Sequence, residues 1–433
     1  MRHSGGTFPA ASYAWLFDLL YGRPAADSQS RLVTWAPAGR LPSRFRRSEQ
    51  FAVLPGGRDR AFMVSLASRR GSAAALTSYG RLRPPSRRLG RLAVGLALRS
   101  GTAGPLLGAT IDIGTAADAT ARQLGEALIT EHLAGLLGRP KVVMAFGGGS
   151  GPYRKPVLQV FGTDGAPLGY VKVGWNPWTR DAVRREAAAL RAIAAGDRHG
   201  RLAAPELLHH GQWHDLELIV TAPLPAGVRR PGPDLPAAGT LREICELSAV
   251  TVSALAESSW WAEIRTRIAT GVTDPASRAR LELAADRLST AHGHVRLEFG
   301  CWHGDLVPWN LARLGSRLYA WDWESSAPSA PVGLDALHFG FQVAFVAGRV
   351  PLAQAVARAA GEARGALADL AVPAEAHALL SELHLLELCV RHEEARASTG
   401  DADDRFFPAA MRMLDRPVPV QPAPGPRVQD RVA

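Results

Sequence analysis

The chain has 433 residues, 47% of them hydrophobic and 21% charged, which is typical of a globular protein and argues against a disordered one. This length exceeds one ordinary core and predicts two or three folded units. The three cysteines lie far apart, so neither a disulfide framework nor a zinc ribbon is indicated. No apolar run approaches the ~20 residues that span a bilayer, and we expect a cytoplasmic protein without a transmembrane segment.

The net charge of +10 belongs to the first third of the chain. Residues 1–140 contain 19 arginines, no lysine and eight acidic residues, whereas the remainder is close to neutral. We predict a basic N-terminal module at 1–139, with a hairpin around 55–59 and a helix over 118–138. A chain that starts near Arg139 is then expected to keep the function of the remaining units and to lose any association with anionic surfaces or partners.

An arginine-rich segment, "RLRPPSRRLGRL" at 81–92, is the strongest charge cluster of this module. It could bind an anionic surface or an acidic partner, and the alternative is a solvated loop without a partner. The sequence contains no specific nucleic-acid-binding motif.

Three short strands are predicted next, at "KVVMAF", "PVLQVF" and "LGYVKVG", separated by glycine-rich turns. The first turn lets backbone N–H groups approach phosphate oxygens that side chains would otherwise obstruct. Its candidate phosphate-binding residues are Gly147, Gly148, Gly149, Ser150 and Gly151.

Lysine is rare in this chain: there are 47 arginines and three lysines, all three between residues 141 and 172. Lys172 falls within the third predicted strand, and Glu186 falls on the following helix, predicted to begin near Asp181. Kinase-type enzymes use such a lysine–glutamate pair to hold the α- and β-phosphates of ATP. The alternative is a solvated Glu186 and an edge-strand charge at Lys172.

The segment "CWHGDLVPWN" at 301–310 places polar side chains in an otherwise apolar run. A carboxylate at Asp305 can orient a hydroxyl and accept its proton, and the amide oxygen of Asn310 can bind magnesium. Twelve residues after Asn310, Asp322 ends a predicted strand as a second candidate metal ligand. His303 is interpreted as a brace of this loop rather than as the base.

At these residues the chain resembles the aminoglycoside phosphotransferase and choline kinase family, the small-molecule branch of the protein-kinase-like fold. The match covers His303 to Asn310 and Asp322-Trp323-Glu324, within roughly residues 140–412. The resemblance implies the ATP lysine at Lys172, its glutamate at Glu186 and backbone contacts to adenine near Thr221 and Ala222.

The fold that follows is α+β and bilobal, with an antiparallel-sheet N-lobe and a mainly helical C-lobe behind the basic module. The predicted boundaries are 1–139 for the module, 140–225 for the N-lobe and hinge, 226–415 for the C-lobe, and 416–433 for a proline-rich disordered tail. A protein kinase is disfavoured because the residues after Asp322 leave no room for an activation segment.

The predicted activity is transfer of the γ-phosphoryl group of ATP, with magnesium (Mg2+), to a hydroxyl of a small molecule such as a sugar, aminocyclitol or amino alcohol. The alternative is a non-catalytic scaffold that docks through its arginine-rich N-terminal region. Trp260 and Trp261 could stack on a ring, but core packing is the simpler interpretation. Glu387, Arg391 and Glu394 are interpreted as helix-surface ion pairs, and the alternative is that "EEARASTGDADD" at 393–404 forms an acidic substrate pocket.

Overall fold

A computed structural model divides the chain into two compact units. The first comprises Met1–Ala195 and Ala204–Arg229, and the second comprises Gly196–Ala203 and Arg230–Ala433. The structure describes residues 11–22, 31–57, 60–78, 89–102, 109–147, 154–196, 200–399 and 406–415.

Fifteen strands and thirteen α-helices are present among the described residues. The strands are β1 Val33–Pro37, β2 Phe45–Gly57, β3 Arg60–Ser65, β4 Ala109–Ala116, β5 Val142–Gly147, β6 Val157–Gly162, β7 Pro167–Gly174, β8 Leu202–Ala203, β9 Leu207–Trp213, β10 Leu216–Thr221, β11 Thr251–Ala254, β12 Arg296–Trp302, β13 Leu311–Leu314, β14 Arg317–Ala320 and β15 Ala327–Pro331. The helices are α1 Ala11–Tyr21, α2 Arg69–Ser78, α3 Leu89–Ser100, α4 Ala121–Ala127, α5 Ile129–Leu136, α6 Pro177–Ala195, α7 Ala238–Cys245, α8 Ser259–Gly271, α9 Pro275–His292, α10 Leu334–Gln342, α11 Leu352–Asp369, α12 His377–Thr399 and α13 Phe406–Leu414.

The first unit is built on one antiparallel sheet of nine strands, in the order β1-β4-β2-β3-β5-β6-β7-β10-β9. Its central strands are apolar on both faces because both faces are covered. On β2, Phe51 and Val53 join one core cluster, whereas Ala52 and Leu54 join the other. The rings of Phe51, Phe17 of α1 and Phe146 of β5 meet at centroid distances of 5.5–5.7 Å.

The sheet runs without a break across the module boundary that the sequence suggested at residue 139. Strand β3 pairs with β5 in the register Met63↔Phe146, so the predicted module and the predicted N-lobe share backbone hydrogen bonds. Residues on both sides of the boundary also belong to one compact unit. The structure therefore does not separate 1–139 from the strands that follow.

The structure contains the kinds of element that the sequence predicts at these positions, but some of them begin or end at other residues. The hairpin around 55–59 is formed by β2 and β3, and the three strands from Lys141 pair antiparallel as predicted. The single helix predicted over 118–138 is two helices, because Leu128 adopts an extended conformation between them. Helix α6 begins at Pro177 instead of near Asp181, since the Asn176 side chain accepts the N–H of Thr179 at 2.8 Å and starts the helix earlier.

Two predicted segments fall wholly or mostly outside the described residues. They are the proline-rich tail at 416–433 and the arginine-rich segment at 81–92, of which only the positions from Leu89 onward are described, in α3. Among the helices that the structure describes, none is both long enough and apolar enough to cross a membrane.

The second unit is mainly helical and contains two small sheets, ordered β11-β12-β15 and β13-β14-β8. The predicted α+β class, an antiparallel sheet followed by a mainly helical unit, is confirmed. In this unit β12 leads directly into the 303–310 segment, and β13 and β14 connect that segment to Asp322.

Removing residues 1–139 should abolish cooperative folding of the first unit. The cut would leave β5 without its β3 partner and expose Met144 and Phe146, which are almost fully buried. We expect aggregation on size-exclusion chromatography and no sharp transition of the first unit on thermal unfolding followed by circular dichroism.

The matched control removes residues 416–433, which leaves every described strand intact, and should unfold like the full chain. If the chain starting at residue 140 stays monomeric and keeps the transition of the full chain, the shared sheet is not required for folding.

Candidate active site

Lys172 and Glu186 form a close ion pair in the first unit. Lys172 lies on β7 between the buried Val171 and Val173, and its Nζ is 2.6 Å from both carboxylate oxygens of Glu186 on α6. The Glu186 side chain is 3% exposed and that of Lys172 is 12% exposed. Glu186 is therefore buried, and the alternative of a solvated Glu186 does not agree with the structure. The pair holds an ammonium in a fixed position on the sheet.

The other residues predicted to contact a nucleotide are only partly described. Gly147 ends β5, whereas Gly148, Gly149, Ser150 and Gly151 lie outside the described residues. Thr221 ends β10, and the N–H of Ala222 donates to the carbonyl oxygen of Glu206 at 2.8 Å. That donor is thus already used within the first unit.

In the second unit, Asp335 anchors the backbone of the 303–310 loop. Its carboxylate accepts the N–H of His303 at 2.8 Å and that of Gly304 at 3.0 Å. Asp335 lies in the first turn of α10 and is buried, so the loop's donors are satisfied by a charged acceptor away from water. No short-range spacing indicates this contact, because Asp335 lies 32 residues from His303 and 31 from Gly304.

His303 braces the loop from within, as a fully buried and neutral ring. Its Nδ1 accepts the N–H of Asp305 at 3.2 Å, which leaves the proton on Nε2, 3.1 Å from the carbonyl oxygen of Trp321. Burial lowers the pKa of His303, although Asp335, Asp305 and Asp322 oppose this shift. The ring also packs on Trp323 at a centroid distance of 4.3 Å.

The Asp305 carboxylate is bound by the protein and accessible at the same time. The Nδ2 of Asn310 donates to its Oδ2 at 2.9 Å and to its backbone oxygen at 3.2 Å. The Asp305 side chain is 38% exposed, whereas Asn310 is buried. The five-residue spacing seen in the sequence thus brings the carboxylate and the carboxamide into direct contact.

Asp322 is connected to the same loop through Trp321. The N–H of Trp321 donates to the carbonyl oxygen of Asn310 at 3.1 Å, while its carbonyl accepts from His303. Asp322 itself has a φ of +65°, in the left-handed region that aspartate tolerates better than most residues. These bonds place the two candidate metal ligands on segments joined by backbone hydrogen bonds.

Arg391 of α12 binds a backbone carbonyl group of the 303–310 loop. Its Nη1 donates to the carbonyl oxygen of Gly304 at 2.6 Å, its Nη2 lies 3.4 Å from that of Ser325, and the guanidinium stacks over Trp302 at 4.5 Å. The sequence offered no signal for this contact beyond an i, i+4 charge pair with Glu387.

Glu387 corrects a sequence interpretation, because it belongs to a buried ion-pair network and not to a helix surface. Its side chain is 1% exposed and binds Arg267 at 3.0 Å and Arg391 at 2.6 Å, and Arg267 also binds Glu394 at 2.6 Å. Burial alone would raise the pKa of Glu387, but Arg267 and Arg391 hold it below its usual value. Of the acidic-pocket alternative at 393–404, Glu393 and Glu394 each pair with an arginine, and positions 400–404 lie outside the described residues.

Trp260 and Trp261 are both buried in α8, and the Trp261 indole N–H donates to Ser289 at 3.2 Å. The core-packing interpretation is therefore the one that the structure supports for this pair.

No family model matches the chain, and no curated protein matches it. Solved structures do match. A thermostable mutant of the aminoglycoside phosphotransferase APH(4)-Ia is 14% identical, with a TM-score of 0.45 over 66% of this chain and 97% of that one. The choline kinase LicA from Streptococcus pneumoniae is 13% identical, with a TM-score of 0.38 over 60% and 88%. Amicoumacin kinase hAmiN, in complex with AMP-PNP, Ca2+ and Ami, is 11% identical, with a TM-score of 0.39 over 60% and 85%.

The chain is thus similar to these three solved structures over 60–66% of its length. With identities of 14% or less and TM-scores of 0.45 or less for these three proteins, activity and substrate have to follow from the residues of the site.

Replacing Glu387 by glutamine should destabilise the second unit in a pH-dependent manner. Arg391 would lose this carboxylate and Arg267 would keep only Glu394, and breaking a buried pair typically costs about 3 kcal/mol. Since the folded-state pKa of Glu387 lies below its usual value of 4.5, its stabilisation is present above that pH and is lost as the pH falls further.

Urea unfolding between pH 7 and pH 3 measures this effect, and the difference between wild type and Glu387→Gln should be constant above about pH 5 and shrink below. Glu263→Gln, at an exposed position on α8, is the control and should match wild type throughout. A pH-independent difference would contradict the ionic role of Glu387.

Proposed function

We propose that this protein is a phosphotransferase that moves the γ-phosphoryl group of ATP to a hydroxyl group of a small molecule. The observation that carries the proposal is the Asp305 carboxylate, bound by Asn310 at 2.9 Å in a loop with buried anchors, yet 38% exposed. A carboxylate that is positioned and accessible is what deprotonation of an acceptor hydroxyl requires.

Asp305 has room to act as the base because its oxygens are not saturated. A carboxylate has about four lone-pair sites, and Asn310 uses one of those on Oδ2. The acceptor hydroxyl would donate its proton to Asp305 as its oxygen bonds to the γ-phosphorus. The bond from that phosphorus to the β–γ bridging oxygen breaks, and ADP leaves with the electron pair.

The residues present fit a magnesium ion. Asn310 uses its Nδ2 for Asp305, so its Oδ1 is the atom offered to a metal, and Asp322 supplies a carboxylate on the adjoining segment. No group of three or more histidine, cysteine or acidic side chains that could hold a metal occurs among the described residues. Magnesium is commonly held by one or two protein carboxylates together with substrate phosphates, and Asp322 provides one such carboxylate. When bound, the ion would neutralise charge on the phosphate oxygens.

Lys172 is the proposed phosphate-binding cation, oriented by Glu186. The residues 147–151 are the proposed cover of the phosphates, and the backbone at Thr221 and Ala222 is the proposed adenine contact. Because the Ala222 N–H is bonded to Glu206, adenine would have to use other backbone groups of this stretch.

The acceptor is proposed only as a class, a small molecule with a free hydroxyl. Sugars, aminocyclitols and amino alcohols all satisfy this requirement. The deciding experiment incubates the protein with magnesium, ATP and a panel of hydroxylated metabolites, and detects the added phosphoryl group by mass spectrometry. If no member gains a phosphoryl group while nucleotide binding is measurable, the proposal of a phosphotransferase fails.

Asp305→Asn should lower the rate of phosphoryl transfer by about 10²- to 10⁴-fold, because the amide cannot accept the proton. Binding of Mg·ATP, measured by calorimetry, should be retained. Asp322→Asn is the comparison, and should weaken Mg·ATP binding as well as turnover because a charged metal ligand is lost. Full turnover by Asp305→Asn would remove the catalytic role assigned to this residue.

Lys172→Ala should weaken ATP binding by about 10- to 100-fold, the usual effect of losing a hydrogen bond to a charged group. Lys155→Ala is the matched control at a neighbouring lysine. Because Lys172→Ala leaves the buried Glu186 without its ammonium, the double variant Lys172→Ala/Glu186→Gln separates lost binding from lost stability. A larger loss in Lys155→Ala would assign the phosphates to Lys155.

A further inference from the structure

The second oxygen of the Asp305 carboxylate has a donor of its own. The Nε2 of His338 lies 3.2 Å from Oδ1, while Asn310 occupies Oδ2. His338 follows Asp335 by three residues on α10, so it projects from the same side of that helix. One helix therefore anchors both the loop backbone and the carboxylate that the loop carries.

His338 is in turn contacted by a second buried histidine. Its Nδ1 lies 3.3 Å from the Nε2 of His384 on α12, and the rings meet edge to face at 5.5 Å. The two side chains are 3% and 4% exposed. Burial lowers the pKa of His384 well below its usual value, and the nearby His338 and Arg391 lower it further. His384 is therefore a neutral ring at physiological pH.

The direction of these hydrogen bonds follows from the chemistry of neutral imidazole, in which one nitrogen donates and the other accepts. A carboxylate only accepts, so His338 donates from Nε2 to Asp305. In the neutral form of His338, Nδ1 then accepts and His384 donates from Nε2. The other tautomer of His338 would turn a lone pair toward a carboxylate.

We propose that His338 is a positioning residue for Asp305, and that His384 acts through His338 by fixing its tautomer. With donors on both oxygens, the carboxylate cannot rotate about its terminal bond, and each oxygen keeps one lone-pair site for the acceptor hydroxyl. The kinetic part of this proposal rests on the proposed function of Asp305 as the base.

Kinetics of four variants test the positioning role. His338→Leu should lower kcat by about 10- to 100-fold, the effect of losing a hydrogen bond to a charged group, with KM for Mg·ATP within about twofold of wild type. His338→Gln keeps an N–H near the Nε2 position and should recover most of the loss. The loss of kcat in His384→Leu should lie between the losses in His338→Leu and His338→Gln. His377→Gln, at a ring whose Nε2 lies 3.2 Å from the carbonyl oxygen of Val372, is the control and should equal wild type.

Wild-type kcat in His338→Leu would overturn the proposal. Equal losses in His338→Leu and His338→Gln would also overturn it, because they would show that the ring acts by packing and not by donating. Thermal unfolding of each variant shows whether the fold is retained.

A spectroscopic experiment tests the same contacts without any turnover. In the full chain labelled with 15N-histidine, the His338 signals, assigned by their loss in His338→Gln, should report the neutral tautomer with the proton on Nε2. His384→Leu should abolish this preference. A His338 ring protonated on Nδ1, or averaging between tautomers in the wild type, would overturn the proposal. If the wild type transfers no phosphoryl group, the proposed function fails, and the tautomer still decides whether His338 holds Asp305.

Discussion

The Asp335 carboxylate is the constraint on which the candidate site depends. By accepting two consecutive N–H groups of the loop, it fixes the backbone from which His303 and Asp305 project. Arg391 binds the carbonyl of Gly304 from another helix, so both kinds of backbone polar group in this turn have charged partners. Buried donors and acceptors without partners are costly, and each of these bonds therefore opposes any other loop conformation.

The nine-stranded sheet gives the N-terminal third of the chain a structural role. Strands β1 to β4 extend the sheet that carries Lys172, and helices α1, α2, α3 and α5 contribute side chains to the two core clusters on its faces. The arginine excess of this region is compatible with that role, since arginine side chains can project from exposed strand and helix positions while the apolar positions face the two cores. Charge asymmetry along a sequence is thus a poor guide to a domain boundary in this protein.

The features that could be predicted from the sequence depend on residues that lie close together in it. They are the strands around Lys172, the helix with Glu186 and the five-residue interval from Asp305 to Asn310. The pairing of β3 with β5 depends on residues about eighty positions apart, and no periodicity records it. Glu387 and Arg391 have the same i, i+4 spacing whether the helix face is solvated or buried, and the deciding partner, Arg267, is 120 residues away. The contact between His338 and His384 was hidden for the same reason.

Gly304 shows what this close packing means for the reaction. Its φ is +77°, and a Cβ at this position would overlap the carbonyl oxygen of Ser325, which follows the Asp322 turn. The two segments are therefore in contact backbone to backbone, and Arg391 bridges their carbonyls. A shift of either segment would have to be accompanied by a shift of the other, which couples the position of the proposed base Asp305 to that of the proposed metal ligand Asp322. Their separation is set when the chain folds, and a substrate that arrives does not have to spend binding energy on bringing them together.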